Sequence, residues 1–169
     1  MKRMAILALA LCLVGCKPKP EYETISDEVV AGAVVTAQPM QISLPTDAVV
    51  AVFQGEDGSA LYLCDGYTIT VQTYEAGDLN KTLLDATGFT LDALYPLQTK
   101  QGDYTRYDCV WTAAGEGEEQ VGRLALIDDG NYHYALSVMA PASQTERLQQ
   151  HWKTLFDGFD LGEAVSTGS

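Results

Sequence analysis

The sequence predicts one α+β domain, an antiparallel β-sheet with helices packed on it, and three observations carry that expectation. Strand-like runs at 60–64 and 67–74 are separated by Asp65-Gly66, a pair suited to a tight hairpin. Three more strand-like segments, 103–113, 120–128 and 131–139, follow one another through turn-forming connections, as in an antiparallel meander. The chain then carries Leu148, Trp152, Leu155, Phe156 and Phe159 at helical spacing, with Gln149, Gln150 and Lys153 facing away.

Taken in order, residues 17–38 read as a tether. Lys17-Pro18-Lys19-Pro20 is extended and polar, as a spacer should be. Residues 21–28 are acidic and weakly patterned, and 29–35 are apolar enough for a strand. The domain is expected to span 39–162, opening on the alternating run 40–44, which Pro45 stops. A second apolar run at 48–53 leads into Gly55-Glu56-Asp57-Gly58, a turn signal. In the strand at 67–74, Tyr67, Ile69 and Val71 share one face while Thr68, Thr70 and Gln72 share the other, the alternation of a half-buried strand. Asp78 is placed to cap a short helix from Leu79 to about Thr87, with Gly88 ending it and Leu79, Leu83 and Leu84 as its apolar stripe. Residues 90–97 read either way, since Thr90 can cap a helical turn and Pro96 limits it. Between the second and third meander strands, Asp129-Gly130 suits a two-residue type I′ turn. Ser143-Gln144-Thr145-Glu146 matches a capping box, and Gly158 is the expected C′ residue of the last helix. Burial of that helix's stripe contributes on the order of 10 kcal/mol before entropy costs. Residues 163–169 read as a disordered tail.

The front of the chain is of another kind. Lys2-Arg3 precedes an apolar run from Ala5 to Val14, and the run closes on Leu13-Val14-Gly15-Cys16. A charged start, a short apolar stretch and a small residue describe a secretory signal. The stretch is shorter than the roughly 20 residues a membrane-spanning helix needs. The last four residues resemble the lipobox of bacterial lipoproteins. The resemblance implies a signal peptide at 1–15, cleavage before Cys16, and lipid on the Cys16 sulfur. Two or more acyl chains would hold the protein to the membrane, since each buried methylene contributes about 0.8 kcal/mol. The expected location is the extracytoplasmic face of the cell membrane.

Ten basic residues stand against 23 acidic ones, for a net charge of −13, and loss of Lys2 and Arg3 with the signal makes the remainder more acidic. A surface this acidic argues against nucleic acid and anionic headgroups as partners. Its plain role is solubility. The acidic clusters Glu116-Glu118-Glu119 and Asp128-Asp129 lack the spacing of a calcium loop, so no metal and no cofactor is expected.

Of four cysteines, Cys12 leaves with the signal and Cys16 takes the lipid, which leaves Cys64 and Cys109. An even number in an extracytoplasmic chain makes a Cys64–Cys109 disulfide the expectation, with two separate buried thiols as the alternative. Such a bridge would contribute roughly 4 kcal/mol through loop closure. Cys109 alternates with Tyr107 and Trp111 and so points inward.

Motifs that carry chemistry are few. The sequence has no Gly-x-Ser-x-Gly elbow, His-Glu-x-x-His pair, phosphate-binding glycine loop or Ser-x-x-Lys. His133 reads as a partly exposed strand residue on the face opposite Tyr132 and Tyr134, and His151 as a solvated helix residue. Arg106 and Asp108 share a strand face and read as a surface ion pair worth at most about 1 kcal/mol. No catalytic residue is assigned. The tyrosines are the remaining signal, and an exposed cluster of Tyr104 with Tyr132 or Tyr134 would suit binding of a protein or glycan.

An early hairpin, a helix, a three-stranded meander and a C-terminal aromatic helix together resemble the Mog1/PsbP-like α/β/α sandwich. The likeness is strongest from Tyr132-His133-Tyr134-Ala135-Leu136-Ser137-Val138 through Pro141 to Leu148, Trp152, Phe156 and Phe159. That fold hosts photosystem accessory subunits, a nuclear-transport cofactor and many lipoproteins. The resemblance implies a non-catalytic binding or accessory subunit of a cell-envelope protein complex. A small envelope hydrolase or cell-wall glycan-binding module is the alternative.

Overall fold

The computed structural model describes residues 36–55 and 59–162. The signal at 1–15, the lipidated Cys16, most of the tether, the centre of the turn at 56–58 and the tail at 163–169 lie outside the described residues.

Strands β1 (Met40–Gln41), β2 (Val49–Gln54), β3 (Ala60–Cys64) and β4 (Tyr67–Glu75) come first. Helices α1 (Leu79–Thr87) and α2 (Leu91–Leu94) follow, then β5 (Leu97–Gln101), β6 (Tyr104–Ala114), β7 (Glu119–Asp128) and β8 (Tyr132–Pro141). A 3₁₀ turn at Ala142–Gln144 leads into α3 (Thr145–Asp157), and β9 (Asp160–Leu161) ends the fold. Seven strands make one antiparallel sheet in the order β2-β3-β4-β8-β7-β6-β5, while β1 and β9 pair separately. The sheet is thus two consecutive antiparallel blocks joined through β4 and β8, whose register runs from Thr68↔Met139 to Glu75↔Tyr132.

Strand alternation gives each face its own core. Ile69, Val71, Ile127, Tyr134, Leu136 and Val138 face α3 and bury Leu148, Trp152, Leu155 and Phe156. Cys109, Trp111, Leu124, Leu126 and Ala135 face α1 and α2, where Leu83 and Leu94 cover them. The result is an α/β/α sandwich, with an antiparallel sheet as its middle layer.

Asp65-Gly66 forms the expected hairpin, with Gly66 at φ 81°. The Asp78 carboxylate accepts from the Asn80 amide at 2.9 Å, and Gly88 ends α1 in the left-handed region. Residues 91–94 resolve as a helical turn.

Three local expectations are corrected. Asp129-Gly130 is not a type I′ turn: Gly130 alone has positive φ, and the loop spans 129–131. The reason is that Asp129 Oδ1 accepts from the Asn131 and Tyr132 amides at 2.8 and 2.7 Å, an Asx-type arrangement. The capping box does not form, because the helical run begins one turn early as the 3₁₀ segment and Gln144 stands at the N-cap position without a side-chain bond. Gly158 is right-handed, at φ −89°. Glycine suits the site for a different reason: a Cβ there would lie 3.0 Å from Ser43 Oγ.

Candidate functional site

The expected Cys64–Cys109 disulfide is absent, and both residues are free thiols. Cys64 ends β3 and Cys109 lies within β6, with β4, β8 and β7 between them. Four strand spacings of about 4.8 Å put the two strands roughly 19 Å apart, beyond any disulfide span. They also serve different cores, Cys64 beside the α3 layer and Cys109 beside α1 and α2. Burial raises both thiol pKa values, that of Cys109 to about 11, so neither is a ready thiolate.

Tyr104, Tyr132 and Tyr134 do come together, on the α3 face where the chain enters the fold. Tyr132 and Tyr134 rings lie 6.1 Å apart and are tilted at 49°. The expectation of an exposed cluster is corrected, since Tyr134 is fully buried and the other two are half-buried. They are organised by Gln38. Its backbone amide donates to the Tyr134 hydroxyl at 2.9 Å, and its side-chain oxygen accepts from the Tyr104 hydroxyl at 3.2 Å. Its side-chain nitrogen donates to Asp129 Oδ2 at 3.2 Å, and the Tyr134 hydroxyl donates to the same oxygen at 2.9 Å. Burial and the Asp129 carboxylate raise the Tyr134 pKa, which keeps the hydroxyl a donor. This cluster clamps residues 37–41 to the sheet, and Gln38, read as the last residue of the tether, belongs to the fold. A lone glutamine before Pro39 gave no sequence signal for that role.

His133 is also corrected: it is 2% exposed. It projects under α1, where its Nδ1 lies 2.8 Å from Thr82 Oγ1 and its Nε2 3.9 Å from Asp128 Oδ1. The Thr82 hydroxyl and Nδ1 share one hydrogen bond, while Asp128 lies beyond hydrogen-bond distance of Nε2. Burial lowers its pKa against the opposing pull of Asp128 and Asp129. Thr82, 5% exposed, is closed to solvent as a nucleophile. The group is a polar pin between α1 and β8.

Arg106 and Asp108 pair as expected but are largely buried, at 14% and 24% exposure. The guanidinium is bidentate on the carboxylate at 2.9 and 3.2 Å. It also donates to the Phe156 and Phe159 carbonyls at 3.0 and 3.3 Å, which satisfies the C-terminal end of α3.

An open groove of about 420 Å³ lies between the 43–47 segment, the β3–β4 turn and α3. Asp47, Asp65, Arg147 and His151 supply its charged and titratable groups. Arg147 and His151 stand one turn apart on α3. Arg147 donates to the Asp65 carbonyl at 2.7 Å and pairs with its carboxylate at 3.4 Å, and the Asp65 amide donates to Asp47 Oδ2 at 3.2 Å. The groove thus offers fixed charges of both signs at the surface, suited to polar recognition. Among the described residues no group of three or more His, Cys, Asp or Glu side chains could hold a metal ion.

No family model matches the chain, and no curated protein matches it. Solved structures do. LpqN, involved in cell envelope biogenesis of Mycobacterium tuberculosis, superposes with a TM-score of 0.53 at 10% identity, over 77% of this chain and 87% of that one. A Bacteroides thetaiotaomicron protein gives 0.50 at 14% identity over 73% of this chain and 45% of that one, so this chain spans less than half of its length. The Saccharomyces cerevisiae Ran-binding protein Mog1p gives 0.49 at 15% identity, over 72% and 89%. At such identities the likeness concerns fold alone. The chain shares its fold, an antiparallel sheet with helices packed on it, with LpqN and the Bacteroides thetaiotaomicron protein.

Proposed function

We propose that the chain is a lipid-anchored extracytoplasmic lipoprotein acting as a non-catalytic binding or accessory subunit of a cell-envelope protein complex. The Leu13-Val14-Gly15-Cys16 sequence closing an apolar run after Lys2-Arg3 carries this reading. The clamp at Gln38 supports it, because it fixes the start of the fold about twenty residues beyond Cys16. Fully extended, that stretch reaches up to roughly 70 Å, enough to present the domain well clear of a bilayer. The fold shared with LpqN, a protein of envelope biogenesis, supports an envelope role.

Two experiments test it. Cys16→Ser should abolish palmitate labelling and release the protein from membranes, and a variant still membrane-bound after a carbonate wash would refute the anchor. Cross-linking on intact cells, affinity capture and mass spectrometry should return one dominant envelope partner. The alternative, a small envelope hydrolase or glycan-binding module, is favoured by the two carboxylates and His151 around one groove. Glycan binding or wall hydrolysis lost in Asp47→Asn or His151→Ala would establish it.

A further inference from the structure

We propose that the corner between α2 and β5 is a binding site for a small quaternary ammonium cation of the choline type, its charge toward Asp92 and its methyl groups against Tyr95 and Tyr107. The site lies on the α1 and α2 side of the sheet, away from the Arg147 groove, and goes beyond the accessory role proposed above.

The corner is built locally. The Leu91 amide donates to Asn80 Oδ1 at 2.8 Å, which ties the start of α2 to α1. α2 ends at Tyr95, whose amide donates to the Leu91 carbonyl at 3.0 Å. Its neighbour Leu94 is buried with Trp111 and Leu124. Pro96 then leads the chain into β5, where Gln98 stands directly across from Tyr107 on β6. These elements enclose an open groove of about 370 Å³, with Leu79, Leu91 and Pro96 as its apolar walls. Asp92, Tyr95, Gln98 and Tyr107 complete its lining.

Tyr95 is the feature that folding alone does not account for. It is the one non-glycine residue with positive φ among those described, at 46°, and it is 85% exposed. A bulky residue in that region before a proline is strained, and glycine would relieve the strain. A ring so exposed recovers little of that cost by packing. Strain of this kind gathers at binding sites. Here it holds an aromatic face at the mouth of an apolar groove.

The groove's chemistry selects the ligand. No lysine or arginine lines it, and Asp92 makes no ion pair among the described residues. A free carboxylate and two phenol rings attract positive charge in the same sense. The walls decide which cation. A metal ion needs several converging oxygens, and no group of three or more metal-binding side chains stands among the described residues. A primary ammonium is strongly hydrated and carries three donors that need acceptors. A quaternary ammonium has no N–H to satisfy and presents its charge through methyl groups, which suit leucine, proline and ring carbons. Gln98 offers its amide to a hydroxyl at the other end of such a molecule. A phosphate attached there would be repelled by Asp92 and by a chain of net charge −13, which favours the free cation over a phospholipid headgroup.

The test uses the purified full-length chain in a nonionic detergent, which carries no ammonium group, with binding followed by calorimetry and backbone-amide NMR. Choline is expected to saturate with a Kd in the millimolar range, at least about tenfold tighter than its neutral isostere in which carbon replaces nitrogen. Shifts should centre on residues 91–98 and 107. Asp92→Asn and Tyr95→Leu should each weaken binding at least about fivefold, and Tyr95→Phe should preserve it. Tyr95→Gly should abolish binding while raising Tm, because glycine accepts the backbone conformation. Equal binding of the neutral isostere, shifts centred elsewhere, or no saturation by about 50 mM choline would overturn the site. A lowered Tm in Tyr95→Gly would make the ring structural and also overturn it. Tighter binding of glycerophosphocholine would give the corner to a phospholipid headgroup, and saturable binding of a neutral disaccharide alone would give it to a glycan; either would overturn the free cation. Each of these results leaves the anchor and the envelope partner to the Cys16 and capture experiments.

Discussion

Gly122→Ala is expected to destabilise the domain by about 2 kcal/mol, although alanine is ordinarily the better strand residue by about 0.5–1 kcal/mol. Gly122 stands directly across from Trp111 in the β6–β7 ladder. A Cβ at 122 would lie 2.2 Å from Cε2 and Cζ2 of the indole. Carbon atoms need about 3.5 Å, so the ring would have to retreat by roughly 1.3 Å. It has nowhere to go, packed among Leu83, Leu94, Cys109 and Leu124 beneath α1 and α2. Overpacking of this kind costs about 1–3 kcal/mol, and an unyielding ring places the change in the upper half of that range before the strand gain is subtracted. For a domain of this size each kcal/mol lowers Tm by about 4 °C, so a loss of roughly 8 °C is expected. The discriminating measurement is a double-mutant cycle by urea denaturation, followed by far-ultraviolet circular dichroism because Trp111 itself is removed. Trp111→Ala alone should cost about 3–5 kcal/mol. In that background the new methyl has space, and Gly122→Ala should become neutral or slightly stabilising, giving a coupling of about 2–3 kcal/mol. An unchanged or raised Tm in the single variant, or the same penalty in both backgrounds, would refute the packing argument.

Trp152→Ala should cost about 3–5 kcal/mol in thermal or urea unfolding, because the indole is buried between α3 and the sheet, and a loss below about 1 kcal/mol would show that α3 contributes little. His133 has a folded pKa below its ordinary 6.5, so the unfolded chain binds the extra proton first; its contribution is fully present above pH 6.5 and declines as pH falls through that value toward the folded pKa. His133→Gln should therefore lower stability at pH 7.5 yet flatten its dependence between pH 7 and 5, and an unaltered slope in paired Tm scans would count against the buried neutral ring. Cys64 and Cys109 should both alkylate in denaturant without reductant, with Cys64 reacting first in the folded protein because it is the more exposed, and a mass two units low that resists alkylation would restore the bridge.

The parts of the fold that were legible are those whose signals are local. Asp78 and Gly88 bracket α1 because a side-chain cap and a left-handed glycine act within a few residues. The α3 stripe declares its buried face by spacing alone. What failed depends on neighbours distant in sequence. Cys64 and Cys109 were paired by count, but strand order decides their separation, and β8 inserts beside β4 to carry them apart. His133 alternates correctly with Tyr132 and Tyr134, yet alternation does not say that α1 covers the second face. Gln38 joins the tyrosines through partners more than sixty residues away, which no periodicity encodes.

The pairing of β1 with β9 has a consequence for how the chain is made. Met40 meets Leu161, and Pro39 accepts from the Gly162 amide, across about 120 residues of intervening sequence. Contacts so remote form late in folding, because the loop between them must first be ordered. A chain emerging from the ribosome or threading through a translocase therefore leaves β1 without its partner until Leu161 has appeared. Through that interval the segment at 37–41 lies unpaired, about twenty residues beyond the Cys16 at which processing and acylation are proposed to act. The fold can draw this segment in only once residues 160–162 have been made, so the modification proposed at Cys16 has that whole interval in which to act before β1 closes.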